Sequence, residues 1–203
     1  MKTFSEIKTA AMEQIKGKIC ILCFMLLTAS ILQTITEFIP FIGAIVSFVF
    51  TSVFLLGGCF VFIKCTKKEE LSFSNIFYGF DDIWTAIKAN FFVSLFSVLW
   101  YLLFFIPGII KIHSYSQTFF ILAENKGMPV LKAITLSRQM MDGHKMDLFL
   151  LNLSFIGWSL LCLITLGIAS IWVLPYYYTT LANFYMAVKE DFLSKQTPPA
   201  ITE

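Results

Sequence analysis

From Leu148 to Val188 the chain carries 41 consecutive residues without one charged side chain. A membrane-spanning helix needs only about 20 apolar residues, range roughly 17–25. A run of this length therefore reads as two spans with a turn between them. Thr165-Leu166-Gly167 and Pro175 are the turn formers inside it, since glycine and proline interrupt helices most strongly. The same reasoning upstream places spans at 19–36 and 43–63 around Phe38-Ile39-Pro40-Phe41-Ile42-Gly43, and at 90–106 and 108–123 around Pro107-Gly108. With 148–167 and 171–188 that makes six spans in three hairpins. The expected fold class is all-α, a polytopic transmembrane bundle over 1–188, followed by a polar tail, 189–203, ending near Pro198-Pro199 and leaving the membrane.

Composition agrees. The chain is 58% hydrophobic and 14% charged, against roughly 45–50% and about 25% in soluble domains. A body of 203 residues keeps too high a surface-to-volume ratio to hide that excess from water. This excludes an ordinary soluble enzyme, a nucleic-acid-binding module, a disordered chain and a disulfide-stapled secreted domain. The bilayer is the first implied partner, and no nucleic acid is expected.

The net charge of +2 conceals an uneven distribution. In the six-span layout, Lys2, Lys8, Lys16 and Lys18 precede the first hairpin, and Lys64, Lys67, Lys68 and Lys88 follow it. Lys126, Lys132, Arg138 and Lys145 precede the third, with Lys189 and Lys195 after it. Fourteen of fifteen basic residues thus share one side, which the positive-inside rule makes cytoplasmic. Both termini fall there, and the expected location is a bacterial cytoplasmic membrane. The N-terminus is read as an uncleaved first helix: Glu6 and Glu13 in a long leading segment do not suit a secretory signal.

The basic segments are themselves patterned. Phe4, Ile7, Ala11, Ile15 and Ile19 recur at spacings of three and four, as do Phe73, Ile76, Phe77, Phe80, Trp84 and Ile87. Leu131, Ile134, Arg138 (by its stem) and Met141 repeat the pattern more weakly. That is helical amphipathicity, expected of helices lying in the inner interface. Each hairpin is thus preceded by a cytoplasmic-side amphipathic helix.

Few residues carry chemistry. Cys20-x-x-Cys23 has the spacing of a redox or metal half-site but no second half; the five cysteines read as small apolar residues. Glu37 at the first hairpin tip and Lys111 near the second reach the same depth, either as an ion pair or separately at the headgroups. His113 lies two residues beyond Lys111, and a single histidine does not make a proton relay. Asn152 and Asn183 are candidates for hydrogen bonds between spans. Trp172 and Tyr176, Tyr177 and Tyr178 suit an aromatic belt. No metalloprotease, nucleophile-elbow or phosphate-loop motif occurs. No catalytic residue, cofactor or metal is therefore assigned.

Several stretches resemble a known family. They are Ile106-Pro107-Gly108-Ile109-Ile110-Lys111, Ser114-Tyr115-Ser116, Ile121-Leu122-Ala123-Glu124-Asn125 and Ser137-Arg138-Gln139-Met140-Met141 with Gly143-His144-Lys145. Leu153-Ser154-Phe155-Ile156-Gly157-Trp158, Leu166-Gly167-Ile168 and Pro175-Tyr176 complete the set. In order, they resemble the bacterial membrane family known as domain of unknown function nine-seven-five, common in Firmicutes, over about Phe73 to Tyr185. The resemblance implies an integral membrane protein and supplies no activity. It points to Gly143-His144-Lys145 and Gly157-Trp158 as a helix junction at the inner interface, where a left-handed Gly143 lets the chain turn.

Two function classes lead, with a lipid-handling or enzymatic reading as a third. One is a non-enzymatic protein with a protective (immunity or stress) or partner-modulating role, binding a membrane-active peptide or another membrane protein. The other is a small-solute or ion transporter or channel with Glu37, Lys111 and His113 at its outer mouth.

Overall fold

The structure, a computed structural model, describes residues 3–37, 42–103 and 105–196, side chains excepted at 36, 37, 42, 103 and 105–109. Every regular element among them is helical. In order they are α1 (Phe4–Ile15), α2 (Ile19–Glu37), α3 (Ile42–Thr66), a 3₁₀ helix (Phe73–Asp82), α4 (Ile83–Leu103) and α5 (Phe105–Tyr115). Then follow α6 (Thr118–Glu124), α7 (Val130–Met140), α8 (Lys145–Leu153), α9 (Ile156–Ile164) and α10 (Ser170–Gln196).

α1 begins with a capping box. The Glu6 amide donates to Thr3 Oγ1 at 3.3 Å and the Thr3 amide to Glu6 Oε2 at 2.8 Å, satisfying two amides that the first turn leaves without partners. Its stripe Ile7, Ala11, Ile15 is buried against α10 and α3, each isoleucine gaining roughly 1.5–3 kcal/mol relative to exposure. The chain then bends by 91° into α2 at Gly17, whose φ of +77° is left-handed and favours glycine. An amphipathic helix set across a following apolar helix is the arrangement its pattern predicts.

α3 is the axis of the fold. It is apolar all round, as a helix buried on several sides must be, and α2, the 3₁₀ helix, α4, α6 and α10 pack on it. The 3₁₀ helix makes the tightest of these contacts. A Cβ on Gly57 would collide with the carbonyl of Ile76, and one on Gly79 with the carbonyl of Val53. Only two glycines permit this backbone-to-backbone approach. Around it Phe24, Phe50, Phe54, Phe73, Phe77 and Phe80 form ring contacts with centroids 5.1–6.3 Å apart.

Among the described residues three helices are long and apolar enough to cross a membrane: Gly43–Thr66, Phe73–Leu102 and Lys145–Ile164. The bent pair α1–α2 raises this to four, so the six spans read from the sequence are not reproduced by helix length and composition. The largest departure is at 108–123, which is not one helix. α5 has 11 residues, about 16 Å at 1.5 Å per residue, and it ends at Ser116-Gln117. There the Ser116 hydroxyl donates to the His113 carbonyl at 2.8 Å and Gln117 Nε2 donates to Ser116 Oγ at 2.9 Å, side-chain bonds that compete with the helical ladder. α6 then runs buried from Thr118 to Ala123, as a core helix rather than a lipid-facing one.

Other boundaries also move. α5 starts at Phe105, so Pro107 and Gly108 lie in its first turn rather than before it. Proline is tolerated there because first-turn amides lack helical acceptors anyway. The turn after α9 falls at Thr165-Leu166-Gly167, with the Gly167 amide bonded to the Cys162 carbonyl at 2.8 Å and the Leu166 amide to Leu163 at 3.2 Å. This is a Schellman closure, with leucine at φ +50° where glycine is usual, and Pro175 sits inside α10. On α7 the buried stripe is Val130, Ala133, Ile134, Ser137 and Met140, whereas Leu131 and Arg138 are exposed. Ile134 and Met141 are buried as expected, and the inward face also carries Ser137, whose hydroxyl donates to the Ser114 carbonyl at 2.8 Å in the interior. Finally, α10 continues through Gln196, so residues 189–196 are helix, not the departing tail expected.

Candidate functional site

Polar side chains gather at three places. The first is Glu124, which ends α6. Its carboxylate accepts from Lys189 Nζ at 2.6 Å, the Tyr185 hydroxyl at 2.7 Å and Lys67 Nζ at 3.0 Å. α10 supplies Lys189 and Tyr185, four residues apart and so on one face, and Lys67 directly follows α3. Burial opposes ionisation of this carboxyl, but the bonds from Lys189, Tyr185 and Lys67 outweigh it and hold its pKa down at about 2. Nearby, Lys126 pairs with Asp81 at 3.2 Å and lies 5.4 Å from the centre of the Tyr78 ring.

The second is His144, between α7 and α8. Its Nδ1 lies 3.0 Å from Asp147 and its Nε2 3.0 Å from Asp191 of α10. Hydrogen bonds from Lys195 and His144 hold the Asp191 carboxyl below its ordinary range. Gly143 beside it has φ +85°, the left-handed turn expected at this junction, and Lys145 pairs with Asp142 at 3.4 Å.

The third is a pair of adjoining cavities. One, about 340 Å³, is lined by Lys111, Ser114, Thr135, Arg138, Gln139, Asp142 and Lys145. The other, about 410 Å³, shares Lys111, Thr135 and Arg138 and is otherwise mostly apolar, with Phe96, Leu99, Trp100 and Leu131. Lys111 Nζ sits 4.5 Å from the Trp100 ring centre, a cation–π contact.

The sequence-derived candidates are therefore dispersed. Glu37 ends α2, but its side chain lies outside the described residues, and so does any pairing with Lys111. Lys111 shares a cavity with Arg138 and Lys145, residues that the charge reading puts on the opposite face. The short α5, which folds back on α4 and packs on α7 and α8, brings them together. The His113 ring lies 6.0 Å from Phe149. Asn152 accepts from the Tyr177 hydroxyl at 3.1 Å, and Asn183 Nδ2 donates to Gln14 Oε1 at 2.7 Å, a link between α1 and α10. Trp158 stands edge-on to Tyr176 at 6.0 Å, while nothing crowds Gly157. Cys59 and Cys65 are buried and all five cysteines are free. Among the described residues no cluster of histidine, cysteine and carboxylate is arranged to hold a metal ion.

Sequence reasoning missed Glu124 as a hub, and with it Lys67, Tyr185 and Asp191. A signal was available: Glu124 and Lys189 each close a long uncharged run, so each is the first charge free to meet an opposite one at the same end of the bundle.

These features define an all-helical protein of membrane type whose charged groups tie helix ends together. Residues 106–191 match a family model described as protein of unknown function (DUF975). The resemblance read from the motifs between Ile106 and Tyr176 is thereby borne out. The match begins at 106 rather than near Phe73, and it contains Glu124, His144, Asp191 and the cationic residues of the paired cavities. No curated protein and no solved structure matches the chain.

Proposed function

We propose that this chain is a non-enzymatic multi-pass protein of a bacterial cytoplasmic membrane, with both termini inside, which acts by binding a partner in or at the bilayer. The partner is a membrane-active peptide or another membrane protein, and the role is protective or modulating. One observation carries the reading: the carboxylate, histidine and asparagine side chains best suited to chemistry are engaged in holding helices to each other. Glu124 is shared by three donors, His144 bridges two aspartates, and Asn152 and Asn183 bond across helices. Interhelical bonds of this kind contribute about 0.6–2 kcal/mol each, which suits a scaffold.

The test is paired. A deletion strain is challenged with a panel of pore-forming peptides, and the purified chain is reconstituted in vesicles and assayed for ion and metabolite flux. Altered sensitivity to at least one agent with no flux is the expected result. Flux that Lys111→Ala changes would replace this reading with a transporter, and wild-type tolerance of every agent would remove its support.

A further inference from the structure

The two cavities joined at Lys111, Thr135 and Arg138 differ in character along their length. One end gathers three cations, Lys111, Arg138 and Lys145, around one carboxylate, Asp142. That carboxylate is engaged by Lys145 at 3.4 Å. Among the described residues neither Lys111 nor Arg138 is paired with a carboxylate. Cations set side by side against apolar walls repel each other and lose hydration, at a cost that an anion between them removes. The other end is walled by Phe96, Leu99, Trp100 and Leu131. Its rim continues onto α4, where Leu95, Val98, Leu99 and Leu102 are all exposed, on a helix apolar enough to cross a membrane.

We infer that this composite pocket binds an anionic phospholipid, with its phosphate between Lys111 and Arg138 and an acyl chain along Phe96, Leu99 and Leu131. The guanidinium fork matches phosphate oxygens in pairs, and basic pockets between membrane helices suit anionic headgroups. Because the groove opens on the lipid-facing side of α4, an acyl chain enters it without leaving the bilayer. A zwitterionic headgroup brings its own cation and leaves the site's charge unbalanced. Free phosphate satisfies the cations but leaves the apolar cavity empty. The inference rests on the reading of α4 as facing lipid.

Native mass spectrometry of the full chain in detergent, with phosphatidylglycerol and phosphatidylcholine of identical acyl chains, reads the preference directly. Retention of the anionic lipid about tenfold or more above the zwitterionic one is expected. Phosphatidylglycerol with brominated acyl chains should quench a component of tryptophan fluorescence that Trp100→Phe removes. Arg138→Gln and Lys111→Gln should each weaken retention about five- to tenfold, while Lys195→Gln, at the His144 cluster, should not. Equal retention of both lipids by the wild-type chain overturns the inference whether or not any variant folds. So does inorganic phosphate binding without lipid preference, which would mark a site for free phosphate. A chain that stays in carbonate-washed membranes yet shows no anionic preference would sink this inference and leave the membrane reading standing.

Discussion

Gly57 and Gly79 govern the closest contact in the molecule, and they do so through what they lack. Each faces a carbonyl of the opposing helix where a methyl group would collide with backbone, which cannot rotate away. A Cβ added at Gly58, one position along, would meet open space. Gly57→Ala and Gly79→Ala should each cost about 1–3 kcal/mol through overpacking. Gly58→Ala should be neutral or gain up to about 1 kcal/mol in helix propensity. Thermal unfolding in detergent separates the two outcomes, and equal effects at 57 and 58 would refute the close approach. None of this is visible in the residues alone, because Gly57-Gly58 offers no local sign of which glycine faces Ile76. By contrast, Gly143 was legible: a glycine closing an amphipathic helix before an apolar run has few other uses, and it does adopt φ +85°.

At the scale of the elements, α6 and α10 are held by the Glu124 hub, and its chemistry sets a pH dependence. The folded carboxyl lies at about 2, below its ordinary 4.5. A lowered acid pKa contributes stability in full above the unfolded value, and that contribution is lost as pH falls through the folded one. Acid should therefore weaken the wild-type chain progressively between about pH 4.5 and about 2. Glu124→Gln should lower stability at neutral pH and flatten that stretch of the profile, as read by melting temperature against pH. An unchanged slope in the variant would mean the hub contributes nothing. Periodicity identified α1 and its buried stripe Ile7, Ala11, Ile15, since a capped amphipathic helix is defined within a dozen residues. It placed only half of the stripe of α7: Ile134 and Met141 are buried, but Leu131 and Arg138 are exposed, and Ser137 takes the inward position through its bond to the Ser114 carbonyl, a partner 23 residues away.

For the whole molecule, the sharpest expectation concerns α8 and α9, which together form one of the candidate crossings, Lys145–Ile164. Asp142 and Leu166 flank it, and Leu166 is 94% exposed at the turn. Reporter fusions or protease sites placed at 142 and 166 should respond from opposite sides of the membrane, with 142 cytoplasmic. Access from one side only would make the pair a re-entrant or surface segment. Hydropathy, charge and period are sums over neighbouring residues, so they sufficed for the all-helical class, the membrane-type surface, the amphipathic first helix and the resemblance of residues 106–191 to a family. Tertiary structure alone decided that 108–123 breaks into a short helix and a buried one. It also decided that Lys111 joins Arg138 and Lys145, and that Glu124 draws together Lys67, Tyr185 and Lys189. Those outcomes depend on which side chains meet across 27 to 65 residues of chain, and no local pattern encodes a meeting between distant groups.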